Sequence, residues 1–255
     1  MSIEWSETYA AVYRRKKDLL KPVKDIDTIN IEELVGIDAQ KNLLMKNTRN
    51  FLEGKPANNA LLWGARGSGK SSLIKAVFNY YKDSGLRLIE IDKEDLKELL
   101  DIVDGIRELD YKFIIYCDDL SFDSRDGSYR SLKSVLDGSI ELPPKNVLLY
   151  ATSNRRHLVS ELQSDNVGSI VNQGELHYSD SVEEKISLAD RFGLWLSFYQ
   201  GGLDDYLKIV DSYFKDYNID KELLHSEAKR FSAMRGGVRN GRCAKQFFNH
   251  FTDKI

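Results

Sequence analysis

The stretch GARGSGKS at positions 64–71 constrains the fold of this chain more than any other feature of its sequence. It matches the pattern G-x-x-x-x-G-K-[ST] and lies between the apolar run ALLWG (60–64) and the helical pattern KSSLIKAVFNYYKD (70–83). In such a strand–loop–helix unit, backbone N–H groups and the helix N-terminus surround a phosphate chain. We therefore predict a nucleotide-binding phosphate loop. Its candidate residues are Gly64, Ala65, Arg66, Gly67, Ser68, Gly69, Lys70, Ser71 and Ser72, with Lys70 directed at the β- and γ-phosphates and Ser71 at Mg²⁺.

Short apolar runs alternate with amphipathic helical patterns between residues 31 and 200. The clearest strands are ALLWG (60–64), LRLIEI (86–91), KFIIYC (112–117) and NVLLYAT (146–152), and a further helix is predicted over DGSYRSLKSVLDG (126–138). This alternation is typical of a mostly parallel sheet with helices on both faces. We therefore predict that residues 31–200 form an α/β core of the P-loop NTPase class, a parallel sheet flanked by helices.

Helical regions are predicted on either side of this core. Residues 1–30 are expected to form an N-terminal helical extension around YAAVYRRKKDLL, which ends at Pro22. Residues 201–255 contain no convincing strand and are expected to form a small all-helical subdomain. Its three helices are predicted over LDDYLKIVDSYFKDY, DKELLHSEAKRFSA and NGRCAKQFFNHF. The apolar stretch FGLWLSF, which contains Trp195, is expected to be a helix packed between the core and this subdomain.

The apolar run FIIYC (113–117) leads directly into two carboxylates, Asp118 and Asp119. Paired acids at the end of a buried strand are costly unless a positive partner lies there. In P-loop folds, an acid at the end of a neighbouring strand holds Mg²⁺ opposite the serine of the loop, and Asp118 is the candidate for this role. Asp119 is the candidate that orients or deprotonates an attacking water. The alternative is that Asp119 only caps the following turn.

Composition limits the partners and the location of the chain. Its 37 basic and 40 acidic residues give a formal charge of −3, so the chain as a whole does not attract nucleic acid or an anionic membrane. No uncharged apolar run approaches the roughly 20 residues that span a bilayer. The first residues, MSIEWSETYA, carry Glu4 and Glu7 where a targeting peptide would be basic or free of acids. Cys117 and Cys243 are expected to be buried and reduced, and we expect a soluble cytoplasmic protein.

Taken in order, these motifs resemble those of the AAA+ ATPases. The segment LVGIDAQKNLLMKNTRNFLEG (34–54) is similar to the one that precedes the phosphate loop, and the resemblance implies that Val35 and Gly36 border the adenine. LWGARGSGKSSL is similar to Walker A, and FIIYCDD is similar to Walker B. NVLLYATSNRRHL is similar to the strand that carries the sensor 1 residue, here Asn154, which would contact the γ-phosphate or the attacking water. The amino-acid sequences of these motifs resemble those of a bacterial family of ATP-binding proteins of unassigned role.

Two further segments of this resemblance carry arginines. KISLADRFGLWLSF is similar to the Arg-Phe-Gly segment that supplies an arginine finger to a neighbouring subunit, which implies Arg191 as the finger; Arg155 and Arg156 are rivals for the role. The alternative is that Arg191 forms a surface or intradomain salt bridge. RGGVRNGRCAKQF is similar to the sensor 2 region of the lid, which implies that Arg239, or in second place Arg242, contacts the phosphates. A shared site of this kind implies a homo-oligomer, as a ring or an ATP-dependent assembly.

The resemblance covers about residues 30–250 and implies a Mg²⁺-dependent ATPase that hydrolyses ATP to ADP and phosphate with coupled movement of the lid. The sequence departs from the common pattern at Asp119, which stands where many such ATPases have glutamate. The shorter side chain leaves a second hypothesis open, a slow-turnover switch or loading scaffold that binds ATP to control a protein or nucleic-acid partner. The motifs do not identify a client.

Overall fold

The computed structural model describes residues 3–17, 19–121, 129–137, 142–154, 170–172, 175–177 and 188–252. Within these ranges, seven strands form one sheet and two short strands form a separate antiparallel hairpin. The sheet contains β1 (Ala10–Arg14), β2 (Leu19–Pro22), β3 (Ala60–Gly64), β4 (Leu86–Ile91), β5 (Lys112–Cys117), β6 (Val147–Ser153) and β9 (Leu194–Phe198), and the hairpin consists of β7 (Ile170–Asn172) and β8 (Glu175–His177).

The strand order of the sheet is β2-β1-β4-β5-β6-β3-β9, and every pairing except that of β1 with β2 is parallel. The four strands predicted from apolar runs all lie in it, and β6 is shifted by one residue from its predicted bounds. Strands β5 and β6 are buried along almost their whole length, as expected for parallel strands covered on both faces. The predicted α/β class is confirmed.

Seven α-helices and four 3₁₀ turns connect or follow these strands in the described residues. The helices are α1 (Asp38–Leu52), α2 (Lys70–Tyr81), α3 (Leu99–Ile106), α4 (Tyr129–Asp137), α5 (Leu203–Tyr213), α6 (Lys221–Met234) and α7 (Gly241–Phe251), and the turns are Arg15–Lys17, Ile31–Glu33, Lys82–Ser84 and Lys93–Glu98. Helices α1 and α2 cover one face of the sheet and share a buried apolar cluster with it. Helices α3 and α4 cover the opposite face with a second cluster. The sheet is therefore the middle layer of three.

The predicted N-terminal helix is wrong, because this segment forms the β1–β2 hairpin. Burial alternates in β1, where Ala10 faces one apolar cluster while Ala11 and Tyr13 face the other. The backbone of β1 also pairs with β4, from Ala10 opposite Leu88 onward. Pairing with an existing sheet edge outweighs the weak helical preference of the segment.

The prediction that FGLWLSF is a helix is also wrong. Residues Leu194–Phe198 form β9, which lies at the edge of the sheet in parallel with β3. Leu196 and Phe198 are buried on one face, while Trp195 packs against the cluster on the other face. This alternation is the period of a strand, and a stretch of five residues is too short for a helix to bury one side well.

The three helices that follow β9 form a bundle with its own apolar core. That core contains Tyr206, Leu207, Val210, Phe214, Leu224, Ala228, Cys243, Ala244 and Phe247. Asp220 caps α6 by accepting a hydrogen bond from the Leu223 amide at 2.8 Å. Both Cys117 and Cys243 are free and buried. No helix in the described ranges has the length and apolarity needed to cross a membrane.

A buried arginine fixes the N-terminal segment to the core. Arg87 in β4 is only 5% exposed, and its Nε donates to the carbonyl oxygen of Trp5 at 2.8 Å. Its guanidinium also lies over the rings of Tyr9 and Tyr111, at 4.9 and 4.2 Å from their centroids. Trp5 in turn meets the ring of Phe113 edge-on at 4.9 Å. These contacts attach the chain before β1 to the middle of the sheet.

We expect Arg87→Met to lower the free energy of unfolding by about 2–4 kcal/mol, because it leaves buried carbonyl oxygens without their donor. Urea denaturation measures the change. Arg14→Met is the matched control, since Arg14 is exposed on β1, and its effect should stay within about 0.5 kcal/mol. Equal losses in the two variants would contradict the anchoring role of Arg87.

Candidate functional site

The phosphate loop joins β3 to α2 at the carboxyl edge of the sheet, where β9 also ends. A Cβ atom on Gly64 would lie 1.9 Å from the carbonyl oxygen of Phe198, so only glycine fits there. The same carbonyl accepts a hydrogen bond from the Ala65 amide at 2.9 Å. Gly67 has φ +74°, a left-handed conformation that side chains rarely adopt. The predicted loop residues therefore form one tight turn, which β9 supports from the side.

The Lys70 ammonium is folded back onto the loop that carries it. Nζ donates to the carbonyl oxygens of Gly64 at 2.9 Å and Ala65 at 2.8 Å, and to Oδ1 of Asn154 at 3.2 Å. The residue is only 7% exposed. Three oxygen acceptors thus hold the positive charge against the loop.

Charges around Lys70 act in both directions on its pKa. Burial is the largest effect and lowers the pKa of the ammonium, and the nearby Asp118 and Asp119 carboxylates oppose this. The positive charges of Arg242 and Arg66 add to the lowering, so the pKa of Lys70 lies below its usual value. The site is a small volume in which three cations and two anions interact.

Ser71 and Asp118 connect the first turn of α2 to the end of β5. Ser71 Oγ donates to Asp118 Oδ1 at 2.8 Å, and Thr152 Oγ1 donates to the same oxygen at 2.5 Å. Burial raises the pKa of the Asp118 carboxyl, but hydrogen bonds from Thr152, Ser71 and Tyr116 more than offset it and hold the pKa below its usual value. Asp118 is therefore kept as a carboxylate.

Among the described residues, Asp119 is the only non-glycine residue with a positive φ, at +51°. Its amide donates to Thr152 Oγ1 at 2.9 Å, and its Oδ1 accepts a hydrogen bond from Asn154 Nδ2 at 2.6 Å. Asn154 therefore links Asp119 to Lys70, because its other side-chain atom accepts from the Lys70 ammonium. The carboxylate is directed toward Asn154, the residue after β6.

Thr152 is a site residue that the motif analysis does not include. It is 1% exposed in β6, and its hydroxyl binds both the carboxylate of Asp118 and the amide of Asp119. A sequence signal exists, because Thr152 directly follows the run VLLYA (147–151) and lies two positions before Asn154. Asn154 itself lies one residue beyond the end of β6.

The donor set at this edge suits Mg²⁺. The Ser71 hydroxyl oxygen and an Asp118 carboxylate oxygen lie 2.8 Å apart, and hard oxygen donors of this kind are the ligands that Mg²⁺ prefers. Because its pKa is lowered, the Asp118 carboxyl is ionised and would supply negative charge to a bound cation. These two residues fit the predicted metal site.

The helical bundle touches the phosphate loop through the start of α7. Asn240 caps this helix by accepting from the Cys243 amide at 2.9 Å, and its Nδ2 donates to the carbonyl oxygen of Arg66 at 3.1 Å. The amide of Gly241 donates to the carbonyl oxygen of Gly67 at 3.2 Å. A Cβ atom on Gly67 would lie 2.6 Å from the Asn240 side chain. The loop and α7 are therefore in direct contact, which the sequence motifs do not indicate.

The two candidate lid arginines have different positions. Arg239 precedes the cap residue Asn240, whereas Arg242 lies in the first turn of α7, and both side chains are exposed. The charge of Arg242 is close enough to Lys70 to lower its pKa.

The predicted adenine-binding residues and the candidate finger arginines lie outside this network of hydrogen bonds or outside the described residues. Val35 and Gly36 are in the connection before α1, and the next residue, Ile37, approaches Gly69 of the loop. Arg191 forms an ion pair with Asp137 at the end of α4. Arg155 and Arg156 lie outside the described residues.

An aromatic pair borders the loop on the β9 side. Trp63, the residue before Gly64, meets Tyr199 edge-on with ring centroids 6.3 Å apart. Tyr199 is 75% exposed and lies between β9 and the bundle. The chain that leads to the bundle therefore starts beside the phosphate loop.

Comparison with protein families and with individual proteins gives matches of very different extent. A family model described as "Protein of unknown function (DUF815)" matches residues 6–255. Over 73 residues the chain is 36% identical to the replication factor C large subunit of Staphylothermus marinus, a match that covers 28% of this chain and only 16% of that protein.

Solved structures share the fold at low sequence identity. The FIGL-1 AAA domain in complex with ADP has a TM-score of 0.53 and 17% identity, and the match covers 79% of this chain and 67% of that one. A mutant form of Thermotoga maritima RuvB has a TM-score of 0.52 and 14% identity, with 88% of this chain and 73% of that one covered. The chain therefore has the AAA+ fold.

We expect Thr152→Val to weaken Mg²⁺ binding in the presence of ATP by about tenfold, because Asp118 loses a hydrogen bond that favours its charged form. The pKa of Asp118 then rises, so binding is lost at a higher pH as the solution is acidified. Mg²⁺ titrations across a pH series measure both changes. Thr152→Ser keeps the hydroxyl and should restore the wild-type profile. A serine variant as weak as the valine variant would contradict the role of the hydroxyl.

Proposed function

This chain belongs to the family described as "Protein of unknown function (DUF815)", and we propose that it is a Mg²⁺-dependent ATPase that hydrolyses ATP to ADP and phosphate. One observation carries the proposal. Lys70 and Ser71 follow β3, Asp118 and Asp119 follow β5, and Asn154 follows β6, which lies between those two strands. All five residues belong to one connected set of hydrogen bonds, in which the Thr152 hydroxyl and the backbone amide of Asp119 join the two halves.

Each of these side chains has a task that its position supports. When ATP binds, the Lys70 ammonium would release the carbonyl oxygens of Gly64 and Ala65 and bind the β- and γ-phosphates instead. Ser71 and Asp118 are the proposed metal ligands. Mg²⁺ supplies neutralisation of the charge on those phosphates. Asp119 and Asn154 hold and polarise the attacking water. Phosphoryl transfer depends mainly on such positioning and charge.

A second candidate, a slow ATP-dependent switch or loading scaffold, is supported by the state of Asp119. Its side chain is one methylene shorter than glutamate, and its carboxylate is already bound to Asn154 at 2.6 Å. Its left-handed backbone, at φ +51°, fixes the direction of the side chain. A base held in this way reaches a water less easily, which favours slow turnover. ATP then controls a partner protein or nucleic acid that the site does not identify.

The bundle α5–α7 is the proposed lid, and Arg242 is its proposed phosphate ligand. Support comes from the effect of its charge on the pKa of Lys70 and from its place in the first turn of α7. Arg239, the other candidate, lies before the cap and therefore outside the helix. Asn240 and Gly241 contact the carbonyl oxygens of Arg66 and Gly67. A change in the phosphate loop on nucleotide binding would therefore be transmitted to the lid.

Arg191 is the proposed finger that completes the site of a neighbouring copy. In the single chain its guanidinium is held by Asp137, so in the isolated subunit it is paired within its own core. A homo-oligomer in which Arg191 faces the γ-phosphate of the next copy would release it from that pairing. Activity would then depend on assembly.

We expect ATPase activity per subunit to rise with protein concentration in the presence of Mg²⁺. Arg191→Ala should lower turnover by roughly 10³–10⁵, the effect of losing an arginine finger, while ATP still binds. Arg14→Ala, at an exposed arginine of β1, is the control and should leave turnover unchanged. Turnover near background at every concentration would favour the switch instead.

We expect Arg242→Ala to weaken ATP binding by about tenfold, since it removes one charge-assisted contact with the phosphates. Arg239→Ala, three residues earlier in the same basic segment, is the matched control and should change the affinity by less than about twofold. Equilibrium binding of a fluorescent ATP analogue measures both. The reverse ranking would make Arg239 the lid ligand.

A further inference from the structure

The lid carries an exposed basic surface that the ATP site does not use in full. Residues 228–250 contain six basic side chains and no acidic one. All six, which are Lys229, Arg230, Arg235, Arg239, Arg242 and Lys245, are exposed. Only Arg242 has a place in the proposed nucleotide site. The rest of this charge concentrates around the end of α6 and the loop after it, residues 229–239, which we call the lid tip.

The lid tip combines its charge with exposed apolar side chains. Met234, the last residue of α6, is 78% exposed, and Val238, in the loop before α7, is 37% exposed. Arg235 is fixed in position, because its guanidinium lies 4.5 Å from the ring centroid of Phe231 and Nη1 donates to Gln246 Oε1 at 2.9 Å. Apolar side chains surrounded by oriented arginines are typical of a protein-binding surface.

The same chain has a surface of opposite charge on its core. Residues 90–110 contain nine acidic and three basic side chains, a formal charge of −6. Seven of the nine acids are exposed, and Asp101, Asp104 and Glu108 follow one another at helical spacing along α3 and the turn after it. We call this surface, from the turn before α3 to Asp110, the acidic face.

The acidic face also carries exposed apolar side chains among its charges. Leu100 is 39% exposed and Leu109 is 37% exposed, next to Asp101 and Glu108. The two surfaces thus match in charge, +4 over residues 229–239 against −4 over residues 93–110, and each has two exposed apolar residues. Opposite charges around small apolar centres are complementary.

We propose that the lid tip of one copy docks on the acidic face of the next copy. The inference rests on the proposed function, whose finger requires a neighbouring subunit, and it names the contact that builds the assembly. The two surfaces differ, so the contact is head-to-tail and repeats from copy to copy. A nucleic acid would account for the arginines of the lid tip but not for Met234, Val238 or the acidic face.

The layout of the core supports this partner. Helix α4 packs against α3 and ends at Asp137, which holds Arg191. The acidic face and the proposed finger therefore belong to the same layer of the core. Because the lid touches the phosphate loop through Asn240, docking its tip on α3 of the next copy brings that layer toward the ATP site of the first.

Two charge-reversal variants test the contact. Arg230→Glu with Arg235→Glu reverses the lid tip, and Asp101→Lys with Glu108→Lys reverses the acidic face. Each alone should raise the dissociation constant of the assembly by roughly tenfold or more, measured by sedimentation with ATP and Mg²⁺. An equal mixture of the two variants should assemble again, because each reversed surface then meets its complement on the other chain. One chain with all four substitutions should also assemble.

A control separates this contact from a general effect of charge. Lys46→Glu with Lys208→Glu changes the net charge by as much as the lid-tip variant does, at two exposed sites outside both surfaces, and should assemble like the wild type. Since interactions between exposed charges are screened over about 10 Å at 0.1 M salt, assembly of the wild type should weaken as salt is added.

The outcomes distinguish this contact from the ATPase proposal. Sedimentation needs no turnover, so a wild type that binds ATP, fails to hydrolyse it and still shows the charge-swap pattern overturns only the ATPase. Wild-type assembly by both reversal variants, or a mixture that does not recover, overturns the docking contact. So does a wild type that stays monomeric with ATP. If the lid-tip variant assembles normally but loses binding to a labelled single-stranded oligonucleotide, the surface binds nucleic acid instead.

Discussion

The hydrogen bond between Ser71 and Asp118 is the contact on which the rest of the site depends. It joins the first turn of α2 to the end of β5 at 2.8 Å, across the intervening strand β6. Parallel strands make this contact available, because their carboxyl ends meet at one edge of the sheet. Thr152 of the intervening strand also donates to the same carboxylate oxygen of Asp118. The order of the strands thus determines which polar groups meet.

The same region satisfies its own charges without a ligand. Lys70 binds two loop carbonyl oxygens and Asn154, and Asn154 also binds Asp119. A phosphate chain therefore has to replace existing hydrogen bonds, and its affinity is the difference between two sets of contacts. Such an exchange changes the position of Asn154 and Asp119 together, since one side chain connects them to the lysine.

Much of this architecture follows from the sequence, and the exceptions have a common cause. Continuous apolar runs predict β3 to β6, and the G-x-x-x-x-G-K-[ST] pattern predicts where the loop lies. The hairpin at β1 and the strand β9 are short segments at the ends of the sheet, and pairing with a neighbour decides their conformation. Thr152 and Asn240 escape motif analysis for a related reason. Each acts through a contact with a residue more than 30 positions away in the chain.

The contact of Asn240 with the phosphate loop has a thermodynamic consequence. One side chain both caps α7 and binds the carbonyl oxygen of Arg66, so the loop and the start of the helix share a single hydrogen-bonding group. If nucleotide and a second subunit act on the two sides of this group, their binding equilibria are linked. Linkage is reciprocal: whatever factor ATP contributes to the association of subunits, association contributes to the affinity for ATP. Asn240 is then the residue that couples the two binding equilibria.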